Sequence, residues 1–361
     1  MKFFMFMFFM TNVIFSGIIA FGLIQYNSKK NISNFKIFLL SLGLGPAFTS
    51  IILYWLLFMF PYKPDVFYFV AVLIFYFLIL LKIIFHKKLN GNKNLINLKK
   101  SFYLFKQLIF LKKKNNIKLF LIVIIIIGLV FSIYPTFNQY SKGYLLKPLE
   151  GHDVQSYGTE GKIYYKEKTF KHRYNGEHPE SGYIRFSNHS PLFPLLLTWE
   201  KIAGSIMGKD TDYYFKSITP FYGLLIVIFV FSVLSIKSVY LALLGSAALF
   251  SSSLFFNKFF SYHIDLFRIY FFSTAIIFLA LSIETKDRMQ IILFCVTLGF
   301  SAASHSIGAV VSGFLVLIFF LFYEDEMINR IKNFFFIIFS LFILGGFHYF
   351  YDTIWGTGWI L

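Results

Sequence analysis

Long apolar runs, parted by short stretches rich in Lys and Asn, set the pattern of this chain. They fall near 2–25, 38–60, 66–85, 118–135, 219–236, 239–256, 264–283 and 334–352. Most approach the roughly 20 residues that a helix needs to cross a bilayer. The run 290–323 is 34 residues long and is broken by the small, polar string SAASHSIGA, Ser301 to Ala309. The pattern predicts two short helices meeting at a turn there, with the flanks ETKDRMQ and EDEMINR on one side. The fold class expected is all-α: a polytopic transmembrane helical bundle of about ten spans. No internal repeat is visible, and the halves do not resemble inverted transporter repeats.

The first run, MKFFMFMFFMTNVIFSGIIAFGLI, exceeds the roughly 7–15 residues of a signal core and lacks a clear small-x-small cleavage site, so it reads as a retained anchor. One long stretch, 136–217, escapes the apolar pattern. Within it, SPLFPLLLTWEKIAGSIMG (190–208) starts at Ser190-Pro191 and stops at Gly208. With Glu200-Lys201 at its middle it makes a poor span, and a helix lying at the membrane interface is expected. KKSFYLFKQLIFLKKK (99–114) reads as a basic interfacial segment.

Composition strengthens the membrane reading. The chain is 57% hydrophobic and 14% charged, with net charge +17 and mean hydropathy +0.68. Five Arg stand against 29 Lys. Lys blocks beside spans fit topology signals and headgroup contacts better than nucleic acid. The loop 87–118 carries ten Lys and no acid, which assigns it to the cytoplasm. Counting outward, 27–36 is also inside and 136–217 is outside. Nine of the 17 acids lie in that outer loop. The expected division is a three-helix N-terminal membrane extension (1–86), a basic cytoplasmic loop (87–117) and a membrane module (118–361) with outer loop 136–217. The single cysteine, Cys295, lies in an apolar run and forms no internal disulfide.

Asp153, in EGHDVQSYG, is the first chemical candidate. It follows an apolar run closely and precedes VQSYGTEGKIYYKEKTF, which reads as the start of an amphipathic helix. A carboxylate at headgroup height is partly desolvated, which raises its pKa toward that of a useful base. A solvated loop acid is the plainer account. Asp265-x-x-Arg268 is one helical turn at the mouth of a span, either a self-paired helix anchor or a functional pair.

Taken in order, these segments resemble the GT-C superfamily of integral-membrane glycosyltransferases that use polyprenyl-phosphate sugars, mannosyl- and arabinosyltransferases among them. Asp153-x-x-x-Tyr157 and RFSNHSPLFPLLLTWEKIAG look like the first outer loop of that family. DTDYYFKSITPFYGLLIVIFVFSV resembles its second span, and NKFFSYHIDLFRIYFFSTAIIFLAL the span with an acid at its outer end. TLGFSAASHSIGAVVSGFLVLI resembles the short hairpin, and GGFHYFYDTIWGTG the aromatic exit. The likeness covers roughly 118–361.

The resemblance implies sugar transfer from a polyprenyl-phosphate carrier to a glycan, lipid or protein hydroxyl, with inversion, on the outer face of the bacterial cytoplasmic membrane. It implies Asp153 as general base. Cations must then meet the leaving phosphate. Arg268, Arg173 and Arg185 are candidates because guanidinium groups pair with phosphate oxygens in bidentate fashion. Arg173 and Arg185 also suit plain loop cations. His305 is either a phosphate contact or a packed polar residue in the hairpin. His152, Tyr157, Asp265 and Glu177 are candidate substrate contacts, although Glu177 and Glu180 equally fit a solvated turn around Pro179.

No HxxxH or HExxH spacing supports zinc. Asp210-x-Asp212 has the spacing of a metal pair, but a helix cap with a first-turn acid explains it more simply. A divalent ion, Mg or Mn, at Asp153 stays open, and no cofactor is otherwise implied. The expected partners are the lipid-linked donor, the acceptor and the bilayer, with no nucleic acid. Two other classes compete: a transporter or flippase, and a non-catalytic assembly subunit, for lipid-linked saccharides.

Overall fold

The structure, a computed structural model, describes residues 14–20, 22–23, 34–89, 157–169, 190–206, 215–235, 238–259, 261 and 263–350. Among these every regular element is helical. We number the helices α1 (Asn34–Met59), α2 (Asp65–Leu89), α3 (Thr159–Glu167), α4 (Leu192–Ile206), α5 (Phe215–Leu234), α6 (Val239–Ser251), α7 (Ser253–Phe259), α8 (Asp265–Thr285), α9 (Arg288–Ser304), α10 (Ser306–Phe322) and α11 (Met327–Leu341). A π-turn, Phe342–Gly346, extends α11.

Four of these helical runs are long and apolar enough to cross a membrane: Leu40–Met59, Asp65–Ile83, Asp265–Thr285 and Met327–Phe350. The pair α6–α7, bent by 72°, makes a fifth if it counts as one span. Ten full crossings are therefore more than the described residues hold. The reason is length. Helices α9 and α10 have 17 residues each, so each rises about 25 Å against a hydrocarbon core of about 30 Å. The expected span at 118–135, and most of the one at 2–25, lie outside the described residues.

Helices α2 and α11 leave most of their apolar surface bare, including Val66, Phe77, Leu78, Phe335 and Phe339. Apolar faces this extensive are the mark of a lipid-facing protein rather than a soluble one.

The predicted break in 290–323 is present. His305 is extended (φ −167°, ψ 152°) between α9 and α10. Its Nδ1 accepts the Ile307 N–H at 3.1 Å, which caps the second helix. The two helices return antiparallel: Ser312 Oγ donates to Leu298 O at 3.3 Å, and Phe294 stacks on Phe319 with centroids 5.9 Å apart. A Cβ on Gly308 would lie 2.1 Å from Ser301 O, so only glycine permits this approach. The flanks ETKDRMQ and EDEMINR consequently share one end. Asp325 lies there, its carboxyl held below the usual range chiefly by the Glu326 N–H, with the Asn329 amide and the charge of Lys286 adding to it.

Helix α1 contains Pro46, which lacks the N–H that would bond Leu42 O. Hydroxyls from other segments close on this stretch. Ser16 Oγ reaches Leu42 O at 3.4 Å, Tyr270 reaches Leu40 O at 3.1 Å, Tyr222 reaches Gly43 O at 2.9 Å and Tyr76 reaches Gly45 O at 3.1 Å. Neighbouring side chains satisfying a proline-disturbed backbone are what an apolar medium requires. Helix α1 thereby enters the core formed by α4, α5, α8 and α9. Tyr222→Phe is expected to cost about 0.6–1.5 kcal/mol, read as a lower thermal midpoint in detergent.

Helix α4 is covered by protein rather than exposed along one side. Thirteen of its 15 residues are buried, Glu200 and Lys201 among them, and Trp199 is fully enclosed. The cause is packing on several sides: α3 covers one flank, while α1 and α2 cover the others. Helix α3 is the amphipathic helix foreseen after Asp153. It buries Glu160, Gly161 and Tyr164 and exposes Lys162, Lys166 and Glu167.

Candidate functional site

A cluster of polar residues gathers where α7 turns into α8. Lys258 closes α7, and Asp265 opens α8 as a first-turn acid, a favourable place for a carboxylate at a helix N-terminus. The two are 2.9 Å apart, Lys258 Nζ to Asp265 Oδ2. Arg268, one turn into α8, donates from Nη2 to Asp265 Oδ1 at 2.7 Å. Between them His263 turns its ring to the same acid, Nδ1 lying 3.5 Å from Asp265 Oδ2. Lys258 Nζ is also 2.9 Å from His263 Nε2 and 3.2 Å from Nδ1.

The turn itself is anchored to α5. Thr219 Oγ1 donates to His263 O at 3.3 Å and lies 3.4 Å from the His263 N–H. Beneath the charges is an aromatic floor. Phe267 meets Tyr222 edge-on at 4.7 Å, and Phe193 tilts against Phe267 at 5.5 Å. Tyr157 then meets Phe193 edge-on at 6.0 Å. Tyr157 is 3% exposed, so its ring belongs to this core.

Lys258 and Arg268, two basic side chains, face one carboxylate. All four side chains are partly exposed, between 24% and 32%. They form a half-wet, positive mouth over an apolar base. Such a mouth can hold an anionic oxygen: Arg268 keeps donors beyond the one given to Asp265.

The structure brings Asp265 and Arg268 into direct contact and links Tyr157 to them through Phe193 and Phe267. His305 belongs to the α9–α10 break, where it serves as a helix cap. Asp153, His152, Arg173, Glu177 and Arg185 lie outside the described residues, as do Glu180, Asp210 and Asp212. Among the described residues no three His, Cys, Asp or Glu side chains group as metal ligands.

Sequence reasoning missed Lys258. Its signal was available: Lys258 is the only Lys, Arg, Asp or Glu between residues 238 and 264. Comparison with known proteins found no matching family model, curated protein or solved structure.

Proposed function

We propose that this chain is a membrane-embedded glycosyltransferase that moves a sugar from a polyprenyl-phosphate carrier to an acceptor hydroxyl. The observation that carries the reading is the positive mouth of Lys258, His263, Asp265 and Arg268, next to the segment that follows Asp153. A lipid phosphate presents two or more anionic oxygens at headgroup depth, and Arg268 and Lys258 suit them.

In the proposed reaction the acceptor oxygen attacks the anomeric carbon opposite the phosphate. Its proton passes to the Asp153 carboxylate as the new C–O bond forms. The old C–O bond breaks toward the carrier, which leaves as a lipid phosphate with its charge met by Arg268 and Lys258. Attack from the opposite face inverts the sugar. Arg173, Arg185 and His305 are further phosphate contacts, and His152, Glu177 and Asp265 further substrate contacts, in this reading. About ten spans and an outer-face site in the bacterial cytoplasmic membrane complete it.

Support for the sidedness comes from assembly. The α1–α2 tip, the α3–α4 segment and the mouth of α8 all count to the outer side from the Lys-rich loop, and they touch one another or a shared core.

A second reading, movement of lipid-linked saccharides, draws on one observation: the 72° bend of α6–α7, the kind of broken helix that transporters use. Binding separates what the mouth recognises. Polyprenyl phosphate is expected to bind purified protein in detergent, and Arg268→Met to weaken it about tenfold or more, the worth of a charged hydrogen bond. Polyprenol, lacking phosphate, is expected to be insensitive to the change. Equal loss for both lipids removes the phosphate role of Arg268. Phosphate recognition without turnover favours the second reading.

A further inference from the structure

Helices α3 and α4 lie side by side in the same direction: a Cβ on Gly161 would touch Pro194 O and Leu197 Cβ at 2.8 Å, and Thr198 Oγ1 donates to Gly161 O at 3.0 Å. Their N-terminal ends reach the charged mouth through Tyr157, Phe193 and Phe267. Their C-terminal ends meet a second charged centre. Asp65, the first residue of α2, pairs with Lys168 Nζ at 2.5 Å through Oδ1. Through Oδ2 it accepts Ser205 Oγ of α4 at 2.6 Å and Tyr165 OH of α3 at 3.2 Å.

The backbone repeats the join. Tyr62 N–H donates to Lys168 O at 3.0 Å, and Tyr68 OH bonds Phe60 O at 2.8 Å and approaches Lys168 O at 3.4 Å. Both Tyr62 (φ 62°) and Lys168 (φ 54°) adopt the left-handed conformation that L-residues rarely take, and the Lys168 ammonium sits 3.6 Å from the centre of the Tyr165 ring. Left-handed geometry on both backbone partners, and a carboxylate that meets an ammonium through one oxygen and two hydroxyls through the other, mark a specific joint, not a passing surface contact. The Lys168 and Asp65 side chains are only 12% and 22% exposed.

We infer that Asp65 is a positioning residue: it ties the C-terminal ends of α3 and α4 to the N-terminal hairpin, and so fixes where their N-terminal ends, Tyr157 and Phe193, stand beside the α8 mouth. The inference rests on the transferase reading for its consequence, and on geometry alone for the joint. Helix α3 is nine residues, about 14 Å, and stiff. A pivot freed at Lys168 therefore moves Tyr157 by ångströms, and displacements near 1 Å lower rates by up to about 10²-fold.

The test uses full-length protein in lipid, in a Cys295→Ala background, with spin labels at Lys162→Cys on exposed α3 and Leu254→Cys on exposed α7. A single narrow distance is expected, broadened by Asp65→Asn and by Lys168→Met, and restored by Asp65→Glu. In the unlabelled protein the same Asn and Met variants are expected to lower kcat about 10–10²-fold while donor KM stays within about twofold. A distance that stays narrow in both variants overturns the joint. A broadened distance with unchanged kcat overturns the positioning role. If wild type transfers no sugar, the transferase reading fails, and the distances still decide whether Asp65 holds α3 and α4.

Discussion

Asp153→Asn is expected to transfer sugar about 10²–10⁴-fold more slowly than wild type, with donor binding little changed. The amide keeps the size of the carboxyl and removes its capacity to take a proton. Donor binding is assigned to other groups, Arg268 and Lys258, so the loss belongs in kcat. Initial rates against donor concentration, with folding checked by size exclusion, read the two effects apart. A mere loop acid would give a variant indistinguishable from wild type. A rise in donor KM with kcat preserved would move Asp153 from proton transfer to donor binding.

Gly345→Val is expected to abolish recovery of folded protein, or to lower its thermal midpoint by far more than any lipid-facing change. Gly345 sits in the π-turn that prolongs α11. A Cβ there would lie 2.1 Å from Gly299 O, 2.9 Å from Ala302 Cβ and 2.9 Å from Ala303 N. Two of these three atoms are α9 backbone and cannot swing aside. Overpacking usually costs about 1–3 kcal/mol when side chains can adjust, and more when they cannot. Moving α11 off α9 would also open the small cavity lined by Pro191, Ala303, Phe347 and His348. Gly313→Val is the control: nothing lies within 4 Å of its Cβ position. Equal stability of the two variants would contradict the packing described for this turn.

How much of this was legible in the sequence depended on whether a signal was local. The α9–α10 break was readable because the small, polar string around His305 interrupts an otherwise continuous apolar run. The α6–α7 bend was not, because its serines, Ser251 to Ser253, lie inside a run that still scores as a span. Asp265 and Arg268 were readable as a pair from their i, i+3 spacing on one helix. Lys258 joins them only because the chain folds back between Phe259 and Asp265, which spacing does not encode.

The same distinction separates α3 from α4. Helix α3 has a wet side, marked by Lys162, Lys166 and Glu167, with Glu160 alone of its charges turned inward. Helix α4 carries Glu200 and Lys201 into the interior, against the ordinary rule that charge means surface. Its enclosure comes from α1 and α2, which are more than 100 residues distant. The Asp65–Lys168 joint is equally long-range, and no local pattern at Asp65 distinguishes it from a helix N-terminal acid.

The most direct measurement gives purified wild-type protein, reconstituted in liposomes, a panel of labelled polyprenyl-phosphate sugars with crude envelope acceptors. Label from one donor is expected in an acceptor with inverted anomeric configuration, with polyprenyl phosphate released in equal amount. Folded protein that binds these donors and transfers none, or transfers with retention, would contradict the transferase reading.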